Sequence, residues 1–190
     1  MIKLYGANGR SFRCAWMLEE AGVTYQRIPV RYGIETNNSD FLAVNPNGKI
    51  PVLDDNGLVI FESLAINIHL AQNYGGDLWP TVSNDQTRTI AWMAWALAEL
   101  EGPHDAANRL NLPIDNARLE RSLDALRQAL TTNSYLLGER FTVVDLNTAA
   151  VLLRPSYKEV AKSDVQIAPW FKRCIKRELL LRVTSTSRSS

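Results

Sequence analysis

Residues 45–66 read Asn-Pro-Asn-Gly-Lys-Ile-Pro-Val-Leu-Asp-Asp-Asn-Gly-Leu-Val-Ile-Phe-Glu-Ser-Leu-Ala-Ile, and their order decides the fold. Asn45-Pro46-Asn47-Gly48 is loop, because Pro and Gly punctuate regular structure. Ile50 to Leu53 and Leu58 to Phe61 are short apolar runs separated by Asp54-Asp55-Asn56-Gly57. An Asn-Gly pair between β-formers supplies the positive φ angles of a tight hairpin, so the runs are expected to pair antiparallel. From Glu62 the apolar residues take mixed helical spacings up to Gly75-Gly76, which predicts a helix.

Reading outward, Ile2 to Tyr5 is β-like, Ser11 to Ala21 is helical and closed by Gly22, and Tyr25 to Val30 is β-like again. A polar stretch with a short turn of helix connects it to Asn45. The order β-α-β-α-β-β-α implies a mixed four-stranded sheet, parallel across the first crossover and antiparallel at its end, with helices on its faces. Beyond Trp79-Pro80 no alternating run returns, which places a boundary near residues 77–84. The expectation is an α/β domain over 1–78 and an all-α bundle over 85–190. In the second part Ile90, Met93, Ala94, Leu97 and Leu100 form one apolar face, and Leu119, Leu123, Leu126 and Leu130 another. Thr142 and Asp145 form a capping box that starts a nearly all-apolar helix, with Phe141 placed to staple onto Leu146 and Pro155 limiting the helix. The Ser/Thr-rich tail from Thr184 is expected to fray.

The 190 residues carry 21 Lys and Arg against 20 Asp and Glu, a net charge of +1 that offers no field for a polyanion, so nucleic acid is excluded as a partner. Cys14 and Cys174 lie far apart, as do His69 and His104, so no metal cluster is expected. No stretch reaches the ~20 apolar residues of a membrane span, and the N-terminus has no leader pattern. A reduced, cytoplasmic setting is the expectation.

Three groups of residues carry a family resemblance. Asn45 to Leu53 with Phe61-Glu62-Ser63-Leu64-Ala65-Ile66 resembles the glutathione-binding core of cytosolic glutathione transferases, here of bacterial type with the class open. Leu137-Gly138-Glu139-Arg140-Phe141-Thr142-Val143-Val144-Asp145 resembles their C-domain capping box. Lys3-Leu4-Tyr5-Gly6, Leu18-Glu19-Glu20-Ala21-Gly22 and Trp170 to Cys174 also match. The resemblance covers nearly the whole chain and implies a thioredoxin-like domain followed by a helical one.

It further implies a cis bond at Ile50-Pro51, with Ile50 pairing its main chain to the cysteinyl residue of glutathione as an added strand would. Ser63 would take the γ-glutamyl carboxylate at a helix N-terminus, Glu62 the γ-glutamyl ammonium and Lys49 the glycyl carboxylate. Glutathione is then a co-substrate, and no metal is needed. The implied reaction is attack of the glutathione thiolate on an electrophilic small molecule or a peroxide, by a homodimer serving detoxification. Glutathione-disulfide reduction, and a non-catalytic interaction or carrier role, are the alternatives.

The thiol activator stays open. A thiol of pKa ~8.5 is about 3% ionised at pH 7, and one near 6.5 about three-quarters, a gap of about 2.7 kcal/mol that the protein must supply. Ser11 at the expected N-cap ranks first as donor, Arg10 can act by charge, and Asn8 through its amide. Tyr5 belongs to the first strand, and Cys14 lies inside the helix as an apolar residue. Trp92, Met93, Trp95 and His104 with Asp105 are candidates for the electrophile's surroundings, with His104 placed at a helix break.

Overall fold

A computed structural model describes residues 1–6 and 9–186. The chain forms two compact units, one of Met1–Trp79 with the segment from Glu178, the other of Pro80–Arg177.

The first unit holds β1 (Ile2–Tyr5), α1 (Ser11–Glu20), β2 (Tyr25–Ile28), α2 (Ser39–Val44), β3 (Val52–Asp55), β4 (Leu58–Phe61) and α3 (Ser63–Tyr74). The sheet order is β2-β1-β3-β4, with β1 parallel to β2 and antiparallel to β3, and β3 antiparallel to β4. The mixed sheet expected from the hairpin and the first crossover, and the thioredoxin-like order that the resemblance implies, are therefore present. Leu4 lies opposite Leu53 and Tyr5 opposite Val52, so alternate residues feed opposite faces. On the Tyr5 and Val52 face, Phe41 of α2 joins Val52 and Val30 in a buried cluster and meets the Tyr5 ring edge-on at 6.3 Å. Each such buried apolar side chain contributes about 2 kcal/mol.

Local chemistry sets the connections. Gly22 takes φ 65° and donates to Glu19 while Val23 donates to Leu18, which closes α1 by satisfying its last carbonyls. Asn56 (φ 53°) and Gly57 (φ 100°) make the hairpin turn, fastened by Gly57 N–H on Asp54 Oδ1 at 2.7 Å. Asp55 Oδ2 accepts from His69 Nε2 at 2.7 Å and Tyr74 Oη at 2.8 Å, tying the later turns of α3 to β3.

The second unit holds α4 (Ser83–Trp95), which continues as a π-wound segment (Ala96–Glu101) into α5 (Gly102–Leu110). Then come α6 (Asn116–Ala129), α7 (Val143–Leu152), α8 (Pro155–Ser163) and α9 (Ile167–Ile175). Helix α7 is buried along nearly its whole length, as its composition predicts. Its capping box is complete, and Asp145 also accepts from Leu136 N–H at 2.9 Å and Trp170 Nε1 at 2.8 Å. Burial pushes the Asp145 carboxyl above its usual range, against the pull of these hydrogen bonds.

Three expectations shift. The buried stripe of α4 and its continuation is Thr89, Met93, Ala96 and Leu100, while Ile90 and Leu97 are exposed. Thr89 tolerates burial because its hydroxyl bonds Asp85 C=O at 2.8 Å. His104 sits inside α5, directly after Pro103, and is buried, with Nε2 at 2.7 Å from Ser156 Oγ. The last helix, α10 (Glu178–Thr186), packs on α1 through a face that includes buried Leu180 and Val183, so it groups with the first unit and not with the bundle. It continues past the Thr184 at which fraying was expected, and residues 187–190 lie outside the described residues.

Candidate functional site

Within the first unit, Arg10, Asn45, Asn47, Lys49, Ile50, Pro51, Phe61, Glu62 and Ser63 line one cleft. Lys49, Ile50, Pro51, Glu62 and Ser63, five positions singled out from sequence, thus come together with Arg10. Two cations face one carboxylate there, and the N-terminus of α3 adds its positive end.

Each wall has a local cause. Asn45 is buried and donates from Nδ2 to Lys49 C=O at 2.8 Å, while its Oδ1 accepts from Asn47 N–H at 3.1 Å. Gly48 supplies φ 58°, and a Cβ there would meet Thr36 C=O at 3.2 Å, so the turn that presents Lys49 needs glycine. The Ile50–Pro51 bond is cis, as the resemblance implies.

Opposite lies the start of α3. Glu62 holds φ 68°, a left-handed value costly for a residue with a Cβ, by roughly 1–3 kcal/mol. It stands at the N-cap and makes no side-chain cap hydrogen bond to the first N–H groups of α3. Ser63 follows, buried except towards the cleft, and its Oγ accepts from Arg13 Nε at 3.0 Å and Nη2 at 2.5 Å.

The three thiol-activator candidates part company. Arg10 lines the cleft and is the N-cap residue of α1, the position expected for Ser11. Ser11 is the first helical residue, fully buried, and not part of the cleft wall. Its Oγ packs against Gly6, where an added Cβ would lie 2.1 Å away, and it has no hydrogen-bond partner among the described residues. Asn8 lies outside the described residues. Cys14 is buried in α1 with its Sγ 3.7 Å from Ser63 C=O. In the second unit Met93 is core, Trp92 and Trp95 stack edge to face at 4.9 Å, and His104 Nε2 meets Ser156 Oγ at 2.7 Å.

Arg13, and the bracing role of the Asn45 side chain, escaped the sequence reading. Arg13 does leave a trace, a lone cation among Phe12, Cys14, Ala15 and Trp16 on a helix that must bury most of its surface. Asn45 leaves none, since Asn before Pro reads as ordinary loop. Among the described residues no group of three or more His, Cys, Asp or Glu is placed to hold a metal ion, and no helix is long and apolar enough to cross a membrane.

The first unit is thus thioredoxin-like, with a cleft at its cis-proline, and a helical unit follows it along the chain. Residues 1–72 match the family model for the glutathione S-transferase N-terminal domain and residues 91–178 that for the C-terminal domain, so the chain belongs to the glutathione S-transferase family. It is 32% identical over 171 residues to glutathione S-transferase 3 of Zea mays, covering 78% of this chain and 75% of that one. It is 27% identical to glutathione S-transferase 1 of Zea mays, spanning 100% of this chain and 98% of the relative. Among solved structures, maize glutathione S-transferase I in complex with an atrazine glutathione conjugate superposes with a TM-score of 0.79 at 25% identity, covering 100% of this chain and 99% of that one.

Proposed function

We infer that the protein is a glutathione transferase: it binds glutathione in the cleft of the first unit, stabilises the thiolate and delivers it to an electrophilic small molecule. The observation that carries this reading is the convergence of Lys49, Ile50 and the Glu62-Ser63 helix start on one cleft, in a chain of this family. Lys49 attracts the glycyl carboxylate. Ile50, at the entry to β3, offers main-chain groups to the cysteinyl residue, and Pro51 shapes that entry. Ser63 and the free N–H groups of α3 take the γ-glutamyl carboxylate, and Glu62 takes the ammonium.

Of the thiol-activator candidates, Arg10 is the one we assign, because its charge lines the cleft while the Ser11 hydroxyl is packed against Gly6. A guanidinium and a helix N-terminus together can supply the ~2.7 kcal/mol that moves a thiol from mostly protonated to mostly ionised at pH 7. A cytoplasmic, detoxifying homodimer is the setting we propose. Exposed Leu58, Val59 and Phe61 on edge strand β4 and exposed Ile90 on α4 are apolar surface suited to a second copy.

The test is calorimetry with glutathione together with the rate of conjugation to a chlorinated nitroarene. Saturable heat and turnover are expected, with Arg10→Gln lowering kcat/KM about tenfold and Ser11→Ala changing it less than about twofold. No heat with millimolar glutathione overturns the reading, and a tenfold loss in Ser11→Ala returns the activator role to Ser11. Sedimentation tests the homodimer.

A further inference from the structure

We propose that Arg13 is a positioning residue that turns Ser63 into a dedicated hydrogen-bond donor, so that the helix start selects a carboxylate. The proposal rests on the glutathione-binding reading above and adds to it the origin of selectivity for the γ-glutamyl end.

A serine hydroxyl has one O–H to give and two lone pairs to fill, and a guanidinium can only donate. Arg13 Nε and Nη2 both donate to Ser63 Oγ, at 3.0 and 2.5 Å, so one charged fork closes on the oxygen from the α1 side. Because N–H groups repel another donor hydrogen, the Ser63 O–H turns away from Arg13. Among the described residues Ser63 Oγ donates to no acceptor, yet Ser63 lines the cleft. The group it can satisfy is an acceptor arriving from the cleft.

Charge strengthens this. Arg13 is 4% exposed, so its guanidinium polarises the Ser63 O–H where water screens little. The segment is also fastened: Cys14 Sγ approaches Ser63 C=O at 3.7 Å, and Asn67 Nδ2 donates to Arg13 C=O at 3.3 Å. These contacts fasten the backbones of α1 and α3 that carry the fork and the hydroxyl, and the two-pronged donor itself is one that the single ammonium of lysine does not reproduce.

The experiment measures Kd by calorimetry on the full chain with two probes, glutathione and the analogue whose γ-glutamyl α-carboxylate is a carboxamide. Arg13→Met is expected to weaken glutathione about tenfold and the carboxamide less than about twofold, because the lost effect acts on the charged group. In a Ser63→Ala background, Arg13→Met should cost glutathione less than about twofold more, since the two residues act as one unit. The rise should appear in KM, with kcat nearly unchanged. Equal losses for both probes, or a full tenfold cost in the Ser63→Ala background, overturn the proposal. Should Arg13→Met not fold, Arg13→Lys carries the test: about a threefold loss confined to glutathione supports the fork, and wild-type discrimination between the probes overturns it. If the wild-type protein binds neither probe, the glutathione reading itself has failed, which is a separate result.

Discussion

Helices α3 and α7 begin in opposite ways. At α7, Thr142 and Asp145 cap each other, and the buried carboxylate takes further hydrogen bonds from Leu136 and Trp170, so that the helix start is spent entirely on the fold. At α3, Glu62 sits at φ 68° with no side-chain cap, and Ser63, which lines the cleft, accepts the Arg13 fork from behind. A helix N-terminus carries the same unsatisfied N–H groups and the same positive end in both cases. What differs is whether the chain answers them itself. Helix α3 can leave its start open because it is anchored further along, by His69 and Tyr74 on Asp55 of β3.

The largest effect is expected from breaking the closed end. Asp145→Ala removes the acceptor of several buried donors and should cost about 4 kcal/mol, on the order of 10 °C in melting temperature, read by calorimetric unfolding. A cost under about 1 kcal/mol would mean that α7 does not depend on its cap. Next is the open end. Ser63→Ala should weaken glutathione binding about 30-fold, close to 2 kcal/mol for a hydrogen bond to a charged group. Its melting temperature should fall by much less than that of Asp145→Ala, and the reverse ranking would erase the distinction between the two helix starts. Thr142→Ala keeps the carboxylate and loses one half of the box, for about 1 kcal/mol of stability and no change in glutathione affinity.

The smallest effect sharpens the anchor of α3. Burial pushes the Asp55 carboxyl up, but hydrogen bonds from His69, Tyr74 and Asn56 outweigh it and hold the pKa below its ordinary value. A carboxyl with a lower pKa folded than unfolded contributes stability above about pH 4, and that contribution is lost as the pH falls through the folded value. The wild-type protein should therefore lose more stability than Asp55→Asn between about pH 5 and 2, followed by urea unfolding at each pH. Parallel pH profiles would show that the anchor carries no charge-dependent part.

Much of this was legible from residue order. The Asn-Gly turn, the Gly22 helix end and the Thr142 to Asp145 box are each set by a few neighbouring residues, and each formed as read. Lys49, Ile50, Pro51, Glu62 and Ser63 could be grouped from the sequence because they are close along it and match one family motif, and they line one cleft. Arg13 was not, since its role exists only where α1 meets α3, fifty positions later in the chain. Met93 and Leu100 of the buried stripe were read from the pattern, but Thr89 was not, because a hydroxyl bonded to its own helix counts as apolar in packing and not in a hydrophobic pattern. Nor does periodicity say which body a helix joins: α10 has an apolar face like its neighbours, and only its packing on α1 assigns it.

That return of α10 has a practical corollary for dissection. A fragment ending at Trp79 would keep every strand yet leave bare the patch on α1 that Leu180 and Val183 cover in the intact chain. To isolate the first unit as an autonomous mini-protein, residues 178–186 must be grafted behind Trp79 on a short flexible tether, restoring in one polypeptide what the native connectivity separates by the whole helical unit.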